Sequence, residues 1–88
     1  MTRLVVCAAI LMDDNFIVVG VRHYSPDMRR TMFRIYGDNY HRGEKEQGFV
    51  DQFGQFMNRT EAWEVAKEAR QIRREVSSPG TLYSENLY

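Results

Sequence analysis

Two runs of aliphatic, largely β-branched residues lie close together at the start of the chain, and they restrict the fold more than any other feature. Leu4 to Leu11 is an almost continuous apolar stretch, and Phe16 to Val21 is a second. Asp13-Asp14-Asn15 between them is turn chemistry, because Asn and Asp side chains bond their own backbone. Val and Ile suit a pleated surface, so the pair predicts an antiparallel hairpin whose first strand is buried. Gly20, late in the second run, leaves room for a bulge or a close backbone approach.

The rest of the chain supplies what would cover and extend that hairpin. Ser25-Pro26-Asp27 is a helix start: a capping hydroxyl, proline at the first helical position and an acid in the first turn. Met28, Met32, Ile35 and Tyr36 follow at helical spacing, and Gly37 is a stop signal. Asp38 to Glu46 is polar and reads as a loop. Gly48 to Asp51 and Gln55 to Met57 read as a second, short hairpin. Asn58 or Thr60 can cap a second helix, and Glu61, three residues after Asn58, fits a capping box. That helix is predicted over Glu61 to about Glu75, with a narrow face of Ala62, Val65, Ala66, Ala69, Ile72 and Val76. Ser77-Ser78-Pro79-Gly80 would end it. The tail from Thr81 to Tyr88 is apolar enough to dock on a neighbouring element or subunit. The order ββαββα predicts one α+β domain over residues 1–88, a small antiparallel sheet with two helices on one face.

Composition narrows the function. The chain has 88 residues, so its core is thin and oligomerisation is expected. Twelve Lys and Arg balance twelve Asp and Glu. Duplex DNA binders need a basic excess to displace counterions, so none is expected here. A local basic pocket for a small anion remains compatible with neutrality. Ten of the twelve cations are arginine. Arginine offers phosphate a planar fork of donors and stacks on rings. The lone Cys7 lies in an apolar run and reads as a small core residue. No metal-ligand spacing, cofactor motif, signal peptide or membrane span is evident, and a cytoplasmic location is expected.

Enzymatic signatures are weak. The opening strands resemble those of Nudix hydrolases, but Arg74-Glu75 is followed by Val76-Ser77-Ser78-Pro79, without glutamates to hold magnesium. Glu61, Glu64 and Glu68 form a helical strip that reads as a solvated face. His23 and His41 are the only imidazoles, and a small enzyme built on one of them stays open. Arginines and aromatics are the richer set. Arg22 and His23 end a strand, Phe49, Phe53 and Phe56 lie in or beside the second hairpin, and Arg59 precedes a helix. Arg70, Arg73 and Arg74 fall late in the predicted helix. Aromatic faces stack on bases while arginine forks grip phosphates.

An ordered set of short motifs spans the chain. Arg22-His23 is followed by Gln47-Gly48-Phe49-Val50 and then by Phe56-Met57-Asn58-Arg59-Thr60-Glu61-Ala62. Gln71-Ile72 and a terminal Leu82-Tyr83-Ser84-Glu85-Asn86-Leu87-Tyr88 complete it. This succession resembles small phage proteins of the anti-Thoeris type, sponges that sequester cyclic ADP-ribose isomers or cyclic oligonucleotides. Asn86 stands where that pattern usually has Asp, Ala69-Arg70 where a small residue or glycine is usual, and Tyr24-Ser25-Pro26 replaces a more polar stretch.

The resemblance implies a binding protein and not an enzyme, with no cofactor and no metal. The ligand would be a cyclic nucleotide signal, held in pockets between subunits of a homo-oligomer. The implied ligand-binding positions are Arg22, His23, Phe49 as a stacking platform, Asn58, Arg59, Arg73 and Arg74. The alternative is a phage interaction protein that binds and inhibits a host protein through its sheet edge and tyrosine-rich tail.

Overall fold

The structure is a computed structural model, and it describes residues 2–74 and 79–87. Strands β1 (Cys7–Met12) and β2 (Ile17–Gly20) form the first hairpin, helix α1 (Pro26–Tyr36) follows, and a 3₁₀ turn covers Tyr40–Gly43. Strands β3 (Glu44–Val50) and β4 (Phe56–Asn58) lead into helices α2 (Arg59–Glu68) and α3 (Ser84–Leu87). The four strands form one antiparallel sheet in the order β2-β1-β3-β4. This is the expected small α+β fold.

Register decides what each strand residue faces. Ala8 pairs with Gly20 and Phe49, Ile10 with Val18 and Gln47, and Phe49 with Met57. Alternation therefore puts these residues on one face, which both long helices cover. Met28 and Met32 of α1, Ala62 and Ala66 of α2, and Leu82 and Leu87 of the C-terminal segment close one core with them. Small residues let backbones approach. A Cβ on Gly20 would sit 2.9 Å from the Met28 Cβ, and one on Gly48 would sit 2.0 Å from the Met57 carbonyl oxygen. The opposite face carries Ala9, Leu11, Val19 and Val50, and Val19 there is 49 % exposed.

Several expectations are revised. Strand β3 begins at Glu44, inside the stretch read as a loop, because backbone pairing to Leu11 and Met12 is indifferent to the exposed Lys45 and Glu46 side chains. Leu4 to Val6 precede the strand. There the side chain of Gln71 takes the place of a strand partner: its Oε1 accepts from Val5 N at 2.9 Å, and its Nε2 donates to Val5 O at 2.9 Å. Ile35 does not join the core stripe of α1 and is 50 % exposed. Ser25 precedes α1 as expected, but its hydroxyl is buried without a hydrogen-bond partner among the described residues.

Helix α2 starts earlier and ends earlier than the expected Glu61 to Glu75. Asn58 caps it in a full capping box with Glu61. It ends at Glu68 because Arg70 takes the left-handed conformation, φ 59°. Arg70 N then donates to Lys67 O, and Gln71 N to Ala66 O, which together make a Schellman motif. Arginine occupies the position where glycine is usual. Val76 of the predicted apolar face and the Ser77-Ser78 stop lie outside the described residues.

Candidate functional site

Arg59 is the first residue of α2, and the β4–α2 junction turns its side chain toward the C-terminal segment. Its Nη1 donates to the Leu82 carbonyl at 2.8 Å, and its Nη2 to Gln47 Oε1 at 2.8 Å. The guanidinium carbon lies 4.6 Å from the centroid of the Tyr83 ring, a cation–π contact. Burial lowers the Arg59 pKa, while Tyr83, Glu85 and Tyr24 oppose that shift. Arginine remains protonated in such surroundings. Among the described residues two of its five N–H donors are engaged.

His23 follows the end of β2. Its Nε2 lies 2.8 Å from the Gly48 carbonyl oxygen, and its Nδ1 lies 3.4 Å from Ser84 Oγ. A carbonyl only accepts, so Nε2 carries the proton and Nδ1 of the neutral ring faces the serine hydroxyl. Burial lowers the His23 pKa first, and the positive charge of Arg59 lowers it further. The bond to Gly48 works the other way without reversing the direction. Phe49 meets the imidazole edge-on, with centroids 5.1 Å apart and planes at 87°.

Arg22, His23, Arg59, Tyr83, Ser84 and Glu85 line one open cleft of about 200 Å³. Among the described residues the lining carries two arginines and one carboxylate, beside an exposed aromatic ring. Such a cleft suits a phosphate with an attached sugar or base. Its volume is below the 300–1,000 Å³ usual for a ligand of drug size. Among the described residues, no three His, Cys, Asp or Glu side chains are placed to hold a metal ion. No described helix is long and apolar enough to cross a membrane.

Three of the expected positions, Arg22, His23 and Arg59, meet here. The others are elsewhere. Phe49 is fully buried, so it supports His23 from below and offers no open face in this chain. Tyr83 is the exposed ring at the cleft. The Asn58 side chain is engaged in capping α2. Arg73 and Arg74 lie beyond the end of α2 and not late within it. Arg73 lines a separate depression with Val5, Arg70, Gln71 and Leu87.

The C-terminal contribution was missed at the level of the sequence. Asn86 explains how that segment is held. Its Nδ2 donates to the Arg74 carbonyl at 2.8 Å, its Oδ1 accepts from Tyr83 N at 2.8 Å, and its own carbonyl accepts from Arg73 N. An aspartate there would keep the acceptor but lose the donor. Gln47, Tyr83, Ser84 and Glu85 all lie within the motifs singled out above, and that was the only signal available for them.

The chain matches the family described as Phage T4 y16D protein over residues 4–88. No curated protein and no solved structure matches it. The family description names a phage protein and no activity, and with nearly the whole length matched the chain belongs to the Phage T4 y16D protein family.

Proposed function

We propose that this protein is a viral anti-defence sponge: it binds a cyclic nucleotide immune signal, a cyclic ADP-ribose isomer or a cyclic oligonucleotide, and sequesters it uncleaved in the host cytoplasm. The observation that carries this reading is the convergence of Arg22, His23 and Arg59 beside the Tyr83 ring. Arginine forks match phosphate oxygens, and stacking contributes ~1–3 kcal/mol per base. Nanomolar retention needs about 12 kcal/mol, which one cleft of about 200 Å³ does not supply on its own. A homo-oligomer with the ligand held between subunits accounts for the remainder.

The test is thermal unfolding of the pure protein against cyclic ADP-ribose isomers and cyclic di- and trinucleotides. A ligand at a thousand times its dissociation constant stabilises by about 4 kcal/mol. A shift with one compound, recovered chemically unchanged, supports the sponge. No shift across the panel defeats it.

A second reading has its own observation. Val19 is 49 %, Val21 64 % and Phe53 63 % exposed, and a protein contact would cover apolar side chains of this kind. That favours a phage factor that docks on a host protein. It predicts a stable stoichiometric complex with one host protein and no small-molecule shift.

A further inference from the structure

Gln47 stands on the core-facing side of β3, opposite Ile10, where a polar side chain must find partners. It finds two. Its Nε2 donates to the Tyr24 hydroxyl at 3.1 Å, and its Oε1 accepts from Arg59 Nη2 at 2.8 Å. The Tyr24 hydroxyl in turn donates to Glu44 Oε1, and the other Glu44 oxygen meets His41 Nδ1. A continuous hydrogen-bonded chain therefore runs from the 3₁₀ turn to the cleft.

The chain has a single polarity, set by its ends. An ionised carboxylate only accepts and a guanidinium only donates. Glu44 therefore obliges the Tyr24 hydroxyl to donate to it. That leaves the Tyr24 oxygen to accept from the Gln47 NH₂. The Gln47 amide is thereby turned so that its oxygen, and not its nitrogen, faces Arg59. In the reverse orientation two donors would face each other. Leu82 holds Nη1 of Arg59 and Gln47 holds Nη2, so the guanidinium is gripped at both tips of its fork.

We propose that Gln47 is a positioning residue of the cleft, and that Tyr24 and Glu44 act through it to hold the Arg59 guanidinium in its ligand-ready orientation. This rests on the reading of the cleft as a binding site for phosphate-bearing ligands. Tyr24 and Glu44 are absent from the cleft lining. Their effect on Arg59 is the distinctive consequence of the proposal.

The experiment has two readouts. In ligand-free protein with ¹⁵N-labelled arginine, the two Nη groups of Arg59 give separate resonances because both are bonded. Gln47→Leu merges them, and Tyr24→Phe, which removes one oxygen, exchange-broadens them. Gln47→Glu keeps an acceptor on Nη2 and restores the separation. In parallel, isothermal titration with cyclic ADP-ribose shows affinity lowered at least tenfold by Gln47→Leu and about threefold by Tyr24→Phe. Tyr24→Phe also keeps the test decisive should Gln47→Leu not fold. Arg59 resonances unchanged in both variants overturn the proposal. If the wild type binds no cyclic ADP-ribose, that ligand fails while the guanidinium spectra still decide the positioning role.

Discussion

Arg59 lies over the ring of Tyr83, 4.6 Å from its centroid, while its Nη1 donates to the carbonyl of the preceding residue, Leu82. One side chain thus ties the start of α2 to the C-terminal segment and lines the cleft. Arg59→Lys keeps the charge but loses the planar fork and most of the stacking. Hydrogen bonds to charged groups contribute roughly 1.5–3 kcal/mol each, and an exposed cation–π contact about 0.5–1. We expect Arg59→Lys to lose about 2 kcal/mol in urea unfolding and to lower ligand affinity at least tenfold. Tyr83→Leu, which removes the ring alone, loses less than about 1 kcal/mol. Equal stability of wild type and Arg59→Lys would refute the link.

If the cleft takes a phosphate, His23 should make that binding dependent on pH. Burial and Arg59 hold its pKa below the ordinary value of 6.5, so the folded protein keeps the ring neutral. Its contribution to stability is complete above pH 6.5 and is lost as the pH falls from there through the folded-state value. A phosphate in the cleft brings negative charge to the ring and raises its pKa. Binding near pH 6 therefore takes up a fraction of a proton, and affinity rises as the pH is lowered from 8 to 6. Titration calorimetry in two buffers of different ionisation enthalpy measures that uptake. His23→Gln, which keeps an N–H for the Gly48 carbonyl, abolishes it. Zero uptake in the wild type would place the phosphate away from His23.

The two glycines of the sheet differ in what lies over them. A Cβ on Gly48 meets a backbone carbonyl at 2.0 Å and the Phe56 ring at 2.7 Å, and backbone cannot step aside. A Cβ on Gly20 meets the Met28 and Ser25 side chains, both at 2.9 Å. Overpacking costs about 1–3 kcal/mol and more where nothing can relax. Gly48→Ala should therefore lose about 3 kcal/mol or more, and Gly20→Ala less. Urea midpoints in the opposite order would contradict this packing.

Arg70 ends α2 in a conformation that an L side chain resists, at φ 59°. The left-handed region costs a residue with a Cβ about 1 kcal/mol that glycine escapes. Arg70→Gly should raise stability by about 1 kcal/mol in urea, with the Schellman bonds intact. A loss of stability would show that the arginine side chain contributes more than its backbone costs.

The elements that could be read in advance were those specified by neighbouring residues. The β1–β2 hairpin, the α1 start at Pro26 and the Asn58–Glu61 capping box depend on side chains a few positions apart. The misreadings have two causes. The polar Glu44 to Glu46 stretch became strand because a partner, β1, was waiting for its backbone. The helical pattern past Glu68 was cut short by one left-handed residue, which periodicity does not register.

For the site, the sequence by itself determined the inventory: a surplus of arginine over lysine, an Arg-His pair at a strand end, an arginine at a helix start and an aromatic C-terminal segment. Tertiary structure decided which of these meet. Arg22, His23 and Arg59 come together because β2 ends and α2 begins beside the place where Tyr83 and Ser84 return across the core face. Phe49 went beneath His23 because the register with Ala8 turns it to that same face, and a one-residue slip would reverse it. Contacts spanning 12 to 61 residues hold the cleft together. Local spacing carries no record of such contacts, because they exist only once the sheet has set its order and register.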